Sequence, residues 1–121
     1  MAGDIYFGYD NSSQNKWETN DGYVNSASFM AFGDWLDEAL SKDYPNLLSA
    51  IKEDEPMAMY NFCDLSAVEY NTVIRALREF KRNLMKPTPI QQLGTRVWEE
   101  IAEPFIHKDV RYDSKYHDDD L

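Results

Sequence analysis

The apolar residues of this chain follow a strand period near the N-terminus and helical periods through most of the rest. Ile5, Phe7 and Tyr9 fall on one side of segment 4–9, which predicts a short strand with one buried face. Positions 10–21 then gather Asn, Ser, Gln, Thr and Asp around Trp17. That is loop composition, with a tryptophan that tethers the loop to the core or serves a partner. From 26 to 41, Phe29, Phe32, Leu36, Ala39 and Leu40 recur at helical spacing, and Asn25 or Ser26 can accept from the first free amides. A shorter helix is predicted over 45–52: Pro45 suits a first turn, and Leu47, Leu48 and Ile51 point inward. Met57, Met59, Tyr60 and Phe62 fit a strand or an apolar loop equally well.

Two helix starts are written more explicitly. Ser66 and Glu69 have the spacing of a capping box, with Leu65 and Tyr70 at the two positions of a hydrophobic staple. Tyr70, Val73, Ile74, Leu77, Phe80 and Leu84 continue as one inward stripe until Pro87. Thr88, Pro89 and Gln91 make a second box, followed by Ile90, Leu93, Val97, Ile101 and Phe105 as the expected buried row, with Trp98 beside it. Pro104 is expected to end or kink that helix. The pattern predicts a mainly α fold: a compact bundle of about four helices, with room for a short N-terminal strand or hairpin. Residues 1–106 read as one globular domain and 107–121 as a charged, weakly docked C-terminal tail.

Composition changes this picture little, and charge changes it more. At 121 residues, with 43% hydrophobic and 14% aromatic content, the chain is long and apolar enough to bury a core. One cysteine, Cys63, makes no internal disulfide, and no segment has the apolar length of a secretory signal or a membrane span. A cytoplasmic setting is expected. The first 69 residues hold 13 Asp and Glu against Lys16, Lys42 and Lys52, while residues 70–121 hold nine of each sign. The whole net charge of −10 therefore belongs to the N-terminal part. Such a field repels nucleic acid and anionic membrane and speeds encounter with a basic partner.

Candidate chemistry is sparse. Glu99, Glu100, Glu103 and the run Asp118, Asp119, Asp120 lie where water would keep them ordinary, so an enzyme is not expected. No phosphate-binding loop, nucleophile elbow or metal-ligand spacing appears; His107 and His117 read as solvent-exposed and Cys63 as a small hydrophobe. No cofactor is expected. Arg75, Arg78, Lys81, Arg82 and Lys86 line the outward side of the third helix. They read as counterions of the acidic half rather than as a phosphate site. What remains is the acidic stretch, where Asp34, Asp37, Glu38, Asp43, Glu53, Asp54 and Glu55 are accompanied only by Lys42 and Lys52. Trp35 is the aromatic anchor expected beside it. The predicted partner-binding set is Asp34, Trp35, Asp37, Glu38, Glu53, Asp54 and Glu55.

Length, acidity and the helix start at 64–71, with its Leu65, Ser66, Glu69 and Tyr70, give the chain a general character similar to bacterial toxin immunity proteins. Those of contact-dependent growth inhibition and colicin systems bind a toxin domain, often a basic nuclease. The resemblance implies a protein that occludes a cognate toxin's active site, without chemistry, cofactor, nucleic acid or membrane of its own. The alternative on the same face is a DNA mimic or regulatory adaptor that titrates a nucleic-acid-binding protein.

Overall fold

The structure, a computed structural model, describes residues 2–9 and 19–113. The loop with Trp17, and His117 with the last aspartates, lie outside the described residues. Strand β1 (Gly3–Tyr9) pairs antiparallel with β2 (Thr19–Val24) and parallel with β3 (Met59–Asn61), giving a sheet of order β2-β1-β3. Helices α1 (Ser26–Leu40), α2 (Pro45–Ile51) and α3 (Ala67–Asn83) precede α4 (Pro89–Val97). The chain runs on from α4 through a π-helical turn at Trp98–Ala102 into a last turn, α5 (Glu103–Ile106). The fold is thus mainly α, with the N-terminal strand drawn into a small mixed sheet. No helix of the described residues is long and apolar enough to cross a membrane.

The local signals are realised where they were strongest. Asn25 Oδ1 accepts from the Ser28 amide at 2.8 Å and starts α1. Both capping boxes form: Ser66 with Glu69 before α3, and Thr88 with Gln91 before α4. The staple residues Leu65 and Tyr70 are both buried. Segment 57–64 resolves its ambiguity as a three-residue strand, because Ile5 and Tyr60 pair across β1 and β3 and both face the core.

The row expected on the last helix is displaced. Val97 is buried, but beyond it burial passes to Trp98, Ala102 and Ile106, leaving Ile101 and Phe105 at the margin and Ile90 exposed. A proline has no amide to donate and its ring crowds the carbonyl four residues back, so an α-helical turn ahead of Pro104 is strained. The chain widens that turn instead, and the Glu103 amide bonds to the Trp98 carbonyl, five residues back. One extra residue in a turn moves the inward stripe along by one position. Proline here shifts a register rather than ending a helix.

The packed region also extends past residue 106. Asp109 is buried, and Arg111 places all five guanidinium N–H groups. Nε and Nη2 donate to the two Asp109 carboxylate oxygens at 2.9 Å. Nη1 donates to the Phe62 and Leu65 carbonyls at 2.8 Å, and Nη2 also to the Phe7 carbonyl at 2.7 Å. The guanidinium carbon lies 3.9 Å from the centre of the Tyr70 ring. Gly8, with φ of 147° beside a bulge in β1, makes room for this pair, since a side chain there would strike Asp109 and Arg111. A tail boundary at 106 missed this segment because its partners are backbone carbonyls far away in sequence.

Arg111→Ala strips the guanidinium from a buried carboxylate and from the Phe7, Phe62 and Leu65 carbonyls, leaving Asp109 with the residue-111 amide and no cation. It is expected to cost about 3–5 kcal/mol in urea unfolding, with Arg111→Lys recovering only a minor part because an ammonium is a point donor. A loss near zero for Arg111→Ala would show that the contacts are incidental.

Candidate functional site

Helix α1 is buried on one side and carries the acidic face on the other. Phe29, Phe32, Leu36 and Leu40 face the core. Asp34 and Glu38 are exposed, and Asp37 is half-buried. Loop and helix ends bring other groups to this face. Lys52, just after α2, sets its Nζ 2.7 Å from Asp37 Oδ1 and 3.3 Å from Glu55 Oε2. Gln91, in the first turn of α4, donates to Glu38 Oε2 at 2.8 Å. Asp34, Asp37 and Glu38 share a shallow depression with Thr88 and Ile90, and Asp34 also borders a notch with Phe29, Met30, Gly33, Lys52, Glu55 and Tyr60. Asp34, Asp37, Glu38 and Glu55 are therefore one surface.

The remaining three predicted residues are placed differently. Trp35 is in the core, 1% exposed, and unable to serve as an anchor for a partner. Its ring lies 5.7 Å from Phe32, 5.6 Å from Trp98 and 5.2 Å edge-on from Phe80, and its Nε1 donates to Thr95 Oγ1 at 3.1 Å. The indole N–H has found an internal acceptor, which makes full burial inexpensive. Glu53 and Asp54 border neither depression nor notch and make no ion pair among the described residues. In place of Trp35, the apolar groups beside the carboxylates are Met30, 66% exposed, and Ile90, 55% exposed. Met30 lies one turn before Asp34 on the outward side of α1, a spacing the sequence displayed.

The cations of α3 are not counterions of this face. Arg78, expected on the outside, is buried and donates through Nε and Nη2 to both Glu103 oxygens at 2.8 Å, and through Nη1 to the Tyr112 hydroxyl at 2.9 Å. Lys81 Nζ stands 3.6 Å from Glu99 Oε1. Both pair with carboxylates of the balanced C-terminal half. Burial alone would raise the Glu103 carboxyl, but the bonds and charge of Arg78 outweigh it and hold Glu103 below its usual value.

Burial pushes the Cys63 thiol up to about 11, so it stays protonated at neutral pH and is a poor nucleophile. His107 is half-exposed and lies 3.4 Å from Glu103 Oε2. Among the described residues no group of three or more His, Cys, Asp and Glu side chains is placed to share a metal ion. Comparison with protein-family models, with curated proteins and with solved structures finds no match.

Because Glu103 is held low in the folded state, its contribution is fully present above the unfolded value near 4.5 and is lost as pH falls through the folded value below it. Glu103→Gln is therefore expected to lower stability at neutral pH, with the gap to the wild type closing as pH falls below about 4.5 in a urea series at stepped pH. A gap that stays constant down the acid limb would contradict this pairing.

Proposed function

We propose that this protein is an inhibitor, an immunity protein that binds a cognate toxin domain, a basic nuclease, and occludes its active site with the α1 face. The observation that carries the reading is the division of charge. The α3 cations Arg78 and Lys81 are engaged by Glu103 and Glu99, so Asp34, Asp37, Glu38 and Glu55 are left with Lys52 alone as ion-pair partner among the described residues. Like charges gathered on one helix face disfavour the folded state, and a basic partner relieves that repulsion while being steered toward it.

The steps are binding steps only. Carboxylates spaced along α1 present negative charge as a nucleic-acid backbone does, and long-range attraction raises the encounter rate. Met30 and Ile90, exposed beside the carboxylates, supply apolar contact that slows dissociation. Steric cover of the toxin's active site then suffices for neutralisation. This protein transfers no group and holds no cofactor in the mechanism. Its setting is the cytoplasm of the toxin-producing cell, where such a nuclease would otherwise act.

The test is co-expression with the toxin domain encoded beside the protein in its native genome. The wild type is expected to protect growth and to block nuclease activity in vitro. Asp34→Lys with Glu38→Lys, both at exposed positions, is expected to keep the fold and slow association about tenfold or more. Full protection by the double variant, with an unchanged association rate, would place the binding surface elsewhere.

A further inference from the structure

The notch beneath the acidic face has a chemistry of its own. It encloses about 310 Å³, lined by the buried Phe29, Gly33 and Tyr60, by the exposed Met30, and by Asp34, Lys52 and Glu55. The Phe29 and Tyr60 rings stack with centroids 4.2 Å apart. The Tyr60 hydroxyl shares its proton between the Phe29 carbonyl and Glu55 Oε2, each 3.2 Å away. Burial, and then the Glu55 carboxylate, push this phenol well above its usual range, so it remains a donor. Gly33 keeps the floor open, since a side chain there would run into that hydroxyl.

We propose that this notch receives the guanidinium of one arginine on the basic partner; the inference rests on the acidic-face reading above and names the partner group that the face would seize. Three observations point to a cation with an apolar stem. First, Asp37 and Glu55 share a single ammonium, that of Lys52, while Asp34, which lines the same notch, has no side-chain ion pair or hydrogen bond among the described residues. Second, a cation already occupies the adjoining position: Lys52 Nζ is held by Asp37 and Glu55 and lies 5.8 Å from the centre of the Tyr60 ring. The surroundings thus accept positive charge, and one further cation halves the formal excess of Asp34, Asp37 and Glu55 over Lys52. Third, the walls are apolar where a methylene stem would lie, against Met30, Gly33 and the Phe29 edge.

Size and hydration select arginine. Small-molecule pockets run from about 300 Å³ upward, so this one sits at the floor of the range and suits a single side chain better than a cofactor. A guanidinium is more weakly hydrated than an ammonium and sheds water at lower cost on entering an apolar-walled recess. Its flat fork can also engage Asp34 and Glu55 together, which an ammonium cannot do with the same directionality.

The experiment titrates the full-length protein with N-acetyl-arginine amide, N-acetyl-lysine amide and uncharged N-acetyl-citrulline amide, read by amide chemical shifts. Saturable shifts at Gly33, Asp34 and Tyr60 are expected with the arginine probe, weaker binding with lysine, and none with citrulline. Asp34→Asn should weaken arginine binding severalfold, and Lys52→Gln, which removes the internal competitor, should strengthen it. Equal shifts with citrulline, or indifference to Asp34→Asn, would overturn the proposal. A protein that ignores arginine amide yet loses its basic partner on Asp34→Lys with Glu38→Lys overturns the notch and leaves the acidic-face reading standing. Saturable, Asp34-dependent arginine binding in a protein that no basic toxin engages supports the notch and removes that reading.

Discussion

One guanidinium ties the ends of this fold together. Arg111 lies near the C-terminal end of the described residues, yet its donors reach the Phe7 carbonyl of β1 and the Phe62 and Leu65 carbonyls between β3 and α3. Phe7 lies where a bulge interrupts the β1 ladder, and Phe62 and Leu65 lie in the link between β3 and α3, outside any ladder. A buried carbonyl without a donor is costly, and a planar fork with five N–H groups can serve several at once. Asp109 neutralises the charge from two residues away, and the Tyr70 ring covers the guanidinium face. The same Tyr70 is half of the staple that starts α3. The clamp therefore fixes the sheet and the first turn of the longest helix relative to each other.

The orientation of α3 then decides the electrostatics. Held this way, it directs Arg78 and Lys81 toward Glu103 and Glu99, carboxylates of the C-terminal half, and away from the acidic face. The N-terminal excess has no such reservoir. Lys52 bridges Asp37 and Glu55, both roughly half exposed, and pairs of that kind contribute only about 0–1 kcal/mol. So weak a bridge neutralises little of the face and rearranges at small cost. A surface held in that condition is suited to exchange its solvent and its internal cation for those of a basic partner.

What the sequence disclosed depended on distance along the chain. Caps, staple and helix stripes rest on residues three or four apart, and the caps and the staple were legible down to the individual side chain. Trp35 was readable as well: it follows Phe32 by three and Ala31 by four, so it continues the buried side, although its neighbour Asp34 suggested a rim. Arg78 gave less warning. A cation at the edge of an apolar stripe turns inward only if a carboxylate meets it, and Glu103 lies 25 residues away. Arg111 was least legible, because backbone carbonyls more than forty residues distant leave no mark in composition. In the row expected on the last helix, Ile90 is exposed and Leu93 only partly buried, Val97 is buried, and beyond it the stripe is displaced by one residue, since periodicity assumes a uniform turn and the turn ahead of Pro104 is wider. For the site, the charge pattern located α1. Only the fold separated Asp34, Asp37, Glu38 and Glu55 from Glu53 and Asp54.

The most direct measurement of the central claim is the association rate with the cognate basic toxin domain as a function of ionic strength. Electrostatic steering by the α1 face predicts a fast rate at low salt that falls steeply as salt rises, with dissociation far less affected. An association rate that is slow at low salt and flat across the series would contradict the account.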